Sequence, residues 1–244
     1  MSVAQKLRCH VEQMIDYGDH VYTVDLEPER LVPRFRPGQF LHLALDDYDP
    51  SGFWPESRVF SIASSPSRRE RLRITYSVRG RFTARMEKEL RQGRSVWVKL
   101  PYGEFVVDPT NDVVLFAGGT GITAFTAFLD SLTSEFGHRV YLAYGARRGS
   151  LLIYRDRIEE RAKVVPQLHR FYFIERDEDQ GDAVTGEPDE TVGSLSVAAV
   201  WPSIKDPFRA IYYLSGPPLM LKAISKNLHD LKIKSEAIRI DAWE

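Results

Sequence analysis

Asp112-Val113-Val114-Leu115-Phe116-Ala117-Gly118-Gly119-Thr120-Gly121-Ile122-Thr123 is the stretch that decides the architecture. Its first half is a continuous apolar run with no alternation, the pattern of a strand covered on both faces of a parallel sheet. Glycines follow at once, and a helical stretch from Ala124 to Phe136 comes after them. Glycine lets a backbone approach a phosphate closely, and the start of a helix offers unpaired N–H donors to it. The spacing is not the G-x-G-x-x-G of the usual dinucleotide turn, and a Gly-rich strand–helix junction also serves as a plain tight turn. Its place at the carboxyl end of an α/β strand is nonetheless where open sheets bind ligands.

Downstream, strands and helices alternate. Val140–Tyr144, Leu168–Ile174 and Ala210–Ser215 read as strands, and Leu151–Lys163 and Pro218–Leu231 as helices. Such alternation implies a parallel α/β sheet with right-handed crossovers. The acidic, Gly- and Pro-bearing stretch 177–190 reads as a loop.

Upstream the period changes to two. Val21–Leu26, Gln39–Leu45, Leu72–Val78 and Val96–Leu100 alternate, with Pro37-Gly38 and Pro101-Tyr102-Gly103 as punctuation. This pattern belongs to an antiparallel sandwich or barrel. One helix, Thr83–Leu90, interrupts it before Gly93, with Thr83 as its expected N-cap. The expected organisation is therefore two domains, an antiparallel β domain over 1–108 and an α/β parallel-sheet domain over 109–244. The boundary falls near Asp108-Pro109-Thr110-Asn111.

Composition narrows the function. The 244 residues are 43% hydrophobic and 27% charged, ordinary for a soluble globular protein. A net charge of −1 offers no strong field for a nucleic acid or an anionic membrane, and Arg68-Arg69-Glu70-Arg71 reads as a solvated turn. The single Cys9 cannot build an internal disulfide, a four-cysteine zinc site or an iron–sulfur cluster alone. The six histidines show no ligand spacing, so no metal site is expected. No stretch approaches the about 20 apolar residues of a membrane span, and the N-terminus has no apolar core of signal-peptide length. A cytoplasmic protein without membrane insertion is expected.

Three further segments carry chemistry. Arg58-Val59-Phe60-Ser61-Ile62-Ala63-Ser64-Ser65 puts an arginine, an aromatic and hydroxyls along one strand: a phosphate partner, a stacking face and donors to a heteroaromatic ring. Val78-Arg79-Gly80-Arg81-Phe82-Thr83 places a glycine and two arginines at a helix start, a second anion site. Leu214-Ser215-Gly216-Pro217-Pro218 ends a strand in a serine before a helix with proline in its first turn. Each feature also has a structural reading: a strand with a surface arginine, a capped helix, a turn. Together they suggest two phosphate-bearing ligands meeting at a domain interface, a favoured place for cofactor sites.

These segments, in this order, resemble the ferredoxin–NADP reductase superfamily from about residue 5 to the C-terminus. The family's flavin strand, Arg-x-Tyr/Phe-Ser/Thr, is similar to Arg58-Val59-Phe60-Ser61, and its pyrophosphate segment to Val78–Thr83. Leu100-Pro101-Tyr102-Gly103-Glu104-Phe105 resembles the family's Gly-Pro-Phe-Gly-x-Phe turn. Gly118-Gly119-Thr120-Gly121 is similar to the nicotinamide-nucleotide loop, Tyr144–Arg147 and Leu151–Asp156 to the strand and helix that follow it, and Leu214–Met220 to the family's Cys-Gly-Pro/Ser segment.

The resemblance implies a flavin β-barrel followed by a nucleotide domain, with electrons passing between NADP or NAD and a separate redox partner through FAD, the flavin commoner in the family. Arg58 would neutralise flavin phosphate, Phe60 would stack on the isoalloxazine beside Val59, and Ser61 would hydrogen-bond near its N5. Tyr76, Val78, Arg79, Gly80, Phe82 and Thr83 would hold the ribityl and pyrophosphate part. Gly118, Gly119, Thr120, Gly121, Thr123 and Gly216 would hold the nicotinamide nucleotide, with Ser61, Ser215 and Thr120 as the catalytic set. Trp243 would lie near the isoalloxazine. Ser215 departs from the family, which commonly has cysteine there. Glu175-Arg176 stands where NADP-specific members carry Ser-Arg; an acidic residue suits a free 2′-hydroxyl, and Arg147 or Arg176 suits a phosphate, so the nucleotide stays open. The expected partner is a ferredoxin or other small electron carrier on a separate chain. The alternatives are the reductase component of an oxygenase and an electron-transfer subunit that does not oxidise free nucleotide. Relatives of that last kind often carry a cysteine cluster near the C-terminus, which this chain lacks.

Overall fold

Leu7, Cys9 and Val11 are buried while their neighbours are not, and this alternation makes Gln5–Asp16 a long strand, β1. A computed structural model describes residues 3–175 and 190–241. The chain forms two compact units, Met1–Val106 with Thr126–Ser131, and Val107–Phe125 with Leu132–Glu244.

In the first unit β1 is joined by β2 (Val21–Pro28), β3 (Phe40–Ala44), β4 (Ser57–Ser61), β5 (Leu72–Ser77) and β6 (Ser95–Tyr102). They form one antiparallel sheet in the order β4-β3-β6-β1-β2-β5. Its two edges approach each other: Ala63 N, just after β4, donates to Arg73 O in β5 at 2.8 Å, so the sheet is a nearly closed barrel. Closure removes the exposed edges that an open sheet leaves. One face of the β2–β5 pair buries Val24, Leu26, Leu72 and Ile74. The other carries cross-strand polar pairs: Thr23 with Thr75 at 2.6 Å, and a bidentate Arg73–Asp25 pair at 2.6 Å per bond. Burial pushes the Cys9 thiol up to about 12, so this cysteine is an inert part of the core.

Helix α1 (Arg81–Glu89) packs Phe82 and Met86 into that core. It begins two residues before the expected start, with Gly80 as N-cap in place of Thr83. Thr83 works from inside the first turn. Its hydroxyl oxygen accepts from Arg79 N (2.9 Å) and Gly80 N (3.1 Å). Sequence alone made Thr83 the cap because it is the only side chain there able to accept; the extended Gly80 backbone takes the position instead.

After the barrel the chain forms β7 (Val113–Gly118), α2 (Thr123–Ser131), β8 (Val140–Ala146), α3 (Arg155–Val164), β9 (Leu168–Ile174), β10 (Glu190–Val192), α4 (Val197–Val200), β11 (Ile211–Ser215), α5 (Pro218–Asp230) and β12 (Ile238–Ile240), all of the second unit except Thr126–Ser131 of α2, which group with the first. The strands pair in parallel in the order β10-β9-β8-β7-β11-β12. All residues of β7 and β8 are buried, as the unbroken apolar run demands. Helix α2 ends at Ser131, short of the expected Phe136, and the Ser131 hydroxyl bonds back to Phe128 O at 2.7 Å in its last turn. Helix α3 starts later than expected: Leu151, Leu152 and Tyr154 turn into the core first, through a short tight turn at Gly149–Leu151. Among the described residues no helix is long and apolar enough to cross a membrane, and no group of three or more His, Cys, Asp or Glu is placed to hold a metal.

Candidate functional site

The barrel site is built on β4 and the start of α1. Strand alternation gives Arg58 and Phe60 one side of β4 and Val59 and Ser61 the other. Phe60 packs on the barrel core, its ring 6.2 Å from that of Tyr76, which stacks on Tyr22 at 5.4 Å. The Arg58 guanidinium lies 5.3 Å from the Phe82 ring centre, a cation–π contact that anchors it beside the first turn of α1. Arg58 Nη2 is 3.4 Å, and Arg81 Nη2 3.3 Å, from the same Glu56 oxygen. Arg79 reaches Ser77 Oγ at 3.1 Å. Three arginines thus surround a nine-residue helix start, where the macrodipole already favours negative charge.

Two observations test whether these residues fit a phosphate-bearing aromatic group. The Tyr76 hydroxyl is buried and has no hydrogen-bond partner among the described residues, a costly state unless a ligand atom meets it. Its proton is firmly held, since burial raises its pKa. At Gly80 a side chain would meet nothing within 4 Å, so the backbone at the helix start is open to approach. The residues therefore fit a flavin phosphate end, with a donor and a stacking ring close to it.

The second site sits where the sheet order reverses. From β7 the chain winds outward through β8, β9 and β10, then returns to β11 on the opposite side of β7. The carboxyl ends of β7 and β11 are therefore the switch point at which open α/β sheets bind ligands. Gly118-Gly119-Thr120-Gly121 and Ser215-Gly216 meet there, with Ser215 in register with Ala117. A Cβ on Gly121 would lie 2.3 Å from Ser215 O, and one on Gly118 would lie 2.5 Å from Met220 Sδ. These glycines let the two turns touch. Gly119, at φ +53°, has nothing within 4 Å and is the open glycine of the turn. Thr120 is half-buried, and its carbonyl accepts from the buried Thr123 hydroxyl at 2.8 Å. The Thr123 side chain thus holds the turn together.

The family model described as "Oxidoreductase NAD-binding domain" matches residues 115–226, which contain this loop, β7 from Leu115 onward and all of β11. The chain is 26% identical over 223 residues to the flavohemoprotein of Rhizobium meliloti (strain 1021), covering 87% of this chain and 53% of that protein. It is 30% identical over 163 residues to the phenol 2-monooxygenase reductase component DmpP of Pseudomonas sp. (strain CF600), covering 65% of this chain and 44% of that one. The chain thus spans about half the length of the curated relatives it matches. Among solved structures, the flavohem-like FAD/NAD-binding domain of nitric oxide dioxygenase from Vibrio cholerae O1 biovar El Tor superposes with a TM-score of 0.79 at 19% identity. That likeness covers 96% of this chain and 97% of that domain, and establishes the fold. Residues 115–226 thus match an oxidoreductase NAD-binding domain, and the chain is similar to flavohemoprotein and oxygenase-reductase sequences.

Ser215 has a side-chain partner within the chain. Its hydroxyl donates to Asp241 Oδ2 at 3.0 Å. The short β12, in register with β11 from Tyr212↔Ile238 to Leu214↔Ile240, carries Asp241 alongside. Sequence reasoning missed this pair because three residues give too little periodicity to reveal β12. It also missed Glu56, although a signal was present: strand period two puts residues 56 and 58 on one side, and their charges are opposite. Arg147 is exposed just past the carboxyl end of β8. Arg176 and Trp243 lie outside the described residues.

Proposed function

We propose that this chain is a flavin-dependent reductase module that oxidises NADH or NADPH and passes the electrons to a separate redox partner. The observation that carries the reading is the pairing of two different phosphate-seeking turns in one chain. One is an arginine-lined helix start beside an unpartnered buried tyrosine hydroxyl, and the other a glycine turn at a sheet switch point. The first unit, read as 1–108, binds FAD, and the second, 109–244, the nicotinamide nucleotide. Bound flavin supplies the chemistry, accepting hydride from reduced nicotinamide and releasing electrons onward.

The protein residues bind and orient. Arg58, Arg79 and Arg81 neutralise flavin phosphate at the start of α1, with Gly80 leaving the backbone open to it. Tyr76 donates its hydroxyl to a flavin oxygen. Phe60 offers the stacking face, with Val59 and Val78 beside it, and Ser61 donates toward the flavin ring edge. Gly118, Gly119, Gly121 and Gly216 let the nucleotide phosphates approach backbone N–H groups. Thr120 and Ser215 position the nicotinamide, and Asp241 holds the Ser215 hydroxyl in one orientation.

The names of the relatives support a partner that carries electrons: one is a reductase component of a phenol monooxygenase, the other a flavohemoprotein. A ferredoxin or other small carrier on its own chain fits the first pattern, in a cytoplasmic setting.

The test is the visible absorption spectrum of the purified protein, followed by anaerobic NADH or NADPH. Flavin bands that one nucleotide bleaches are expected. Bands that neither bleaches would point to an electron-transfer subunit, and no flavin after reconstitution with FAD or FMN would overturn the reading.

A further inference from the structure

Glu56 stands where an anionic ligand of the barrel site would have to go. It precedes β4 by one residue in the loop after β3, and Trp54 Nε1, donating to Ser57 Oγ at 3.0 Å, fixes the chain on either side of it. One of its oxygens lies 3.4 Å from Arg58 Nη2 and 3.3 Å from Arg81 Nη2, and the other lies 3.4 Å from Arg81 Nη2. A carboxylate spanning two guanidiniums at a helix start has the charge, the oxygen acceptors and the bridging geometry of a bound phosphate. Without it, two cations would face the positive end of α1 uncompensated.

We propose that Glu56 is an internal placeholder for the flavin phosphate, displaced when the flavin binds, and that it thereby sets the affinity of this site. The inference rests on the flavin reading above. The contacts are suited to exchange. The Arg58, Arg81 and Glu56 side chains are 53%, 83% and 34% exposed, and all the distances are long for charge-assisted bonds. Exposed pairs of this kind are weak and screened by salt, so a dianionic pyrophosphate outcompetes them. Breaking them still subtracts from the affinity, and the carboxylate remains nearby as a like charge.

The experiment compares wild type with Glu56→Gln, a near-isosteric change that keeps the loop and removes the charge. The apoproteins are titrated with FAD, FMN and riboflavin by fluorescence quenching, and inorganic pyrophosphate is measured as a competitor of FAD. Glu56→Gln should lower the Kd for FAD and FMN, and the pyrophosphate inhibition constant, by about two- to thirtyfold, the range set by releasing two exposed ion pairs. Riboflavin, which has no phosphate, should bind both proteins alike. Phosphate-bearing ligands binding Glu56→Gln equally or more weakly would overturn the placeholder and leave the flavin site intact. An equal gain for riboflavin would overturn it too. Wild type that binds neither FAD nor FMN would overturn the flavin reading and this inference with it.

Discussion

Helix α1 begins in open space, whereas the turn after β7 begins against a wall. At Gly80 no atom stands within 4 Å of where a side chain would be; at Gly121 the backbone of Ser215 stands at 2.3 Å. Both turns follow a strand, contain glycine and open a helix, and from sequence both read as phosphate sites. On the proposed reading the barrel turn attracts phosphate with side-chain charge, from Arg58, Arg79 and Arg81, and needs its glycine for access. The β7 turn has no arginine in it, and two of its glycines, Gly118 and Gly121, exist so that β7 and β11 can bring their turns together. A glycine near a phosphate site thus has two distinct uses, access and close packing, and only the neighbours tell them apart.

That contrast breaks most visibly in a pair of alanine substitutions. Gly121→Ala drives a methyl into the Ser215 carbonyl, where backbone on both sides must move. We expect a loss of about 3 kcal/mol or failure to fold, the upper end for overpacking. Gly80→Ala should cost the apoprotein no more than about 1 kcal/mol, the cost of alanine at an N-cap, while weakening FAD binding. Denaturant midpoints of the two apoproteins check this. Similar midpoints would erase the distinction between access and packing.

A smaller effect sharpens the comparison at the hydroxyls. The Tyr76 hydroxyl is buried without a partner, whereas the Thr123 and Ser215 hydroxyls are engaged within the fold. Tyr76→Phe removes an unsatisfied group, so the apoprotein should be as stable as wild type or up to about 1 kcal/mol more stable. FAD should bind about three- to tenfold more weakly, the worth of one hydrogen bond of about 0.5–1.5 kcal/mol. A Tyr76→Phe apoprotein that is destabilised, with FAD affinity unchanged, would mean that the hydroxyl serves the barrel and not a ligand.

The sequence made the architecture legible wherever one physical rule acted alone. The unbroken run 113–117 could only be a strand covered on both faces, and Leu168–Ile174 was read with its observed ends. The alternating barrel strands were legible for the same reason. What was hidden came from competition or from shortness. Gly80 displaced Thr83 as the cap of α1, and α2 stopped at Ser131, five residues before the helical pattern ended. The partners of the site residues were hardest to see. Asp241 reaches Ser215 only through strand register, and Glu56 reaches Arg81 across 25 residues of chain. The residue types that make a site are local information; what each one is bonded to is not.

The smallest predicted effect concerns two barrel histidines that repeat the open-versus-walled contrast as charge. His20, with a side chain 71% exposed, lies 2.7 Å from Glu87, and that hydrogen bond and the negative charge raise its pKa. Bonds from His20 and Tyr22 lower that of Glu87. His42 is half-buried against the Tyr102 ring at 4.9 Å, and its burial, with the charge of Lys99, lowers its pKa. The signs are therefore opposite. The stabilisation from a raised histidine is complete below its unfolded value and is lost as pH rises through the folded one. That from a lowered histidine is complete above the unfolded value, near 6.5, and is lost as pH falls through the folded one. Glu87 keeps its charge down to below the ordinary carboxylate value, so acidification to pH 5.5 leaves the His20 pair intact. His20→Asn, which tolerates the positive φ of 59° at this position, should therefore lower the melting temperature more at pH 5.5 than at pH 8.5. His42→Asn should do the reverse, costing less at pH 5.5, where the unfolded chain takes up a proton that the folded setting of His42 disfavours. If the two variants shifted in the same direction with pH, the opposite electrostatic settings assigned to the two positions would be wrong.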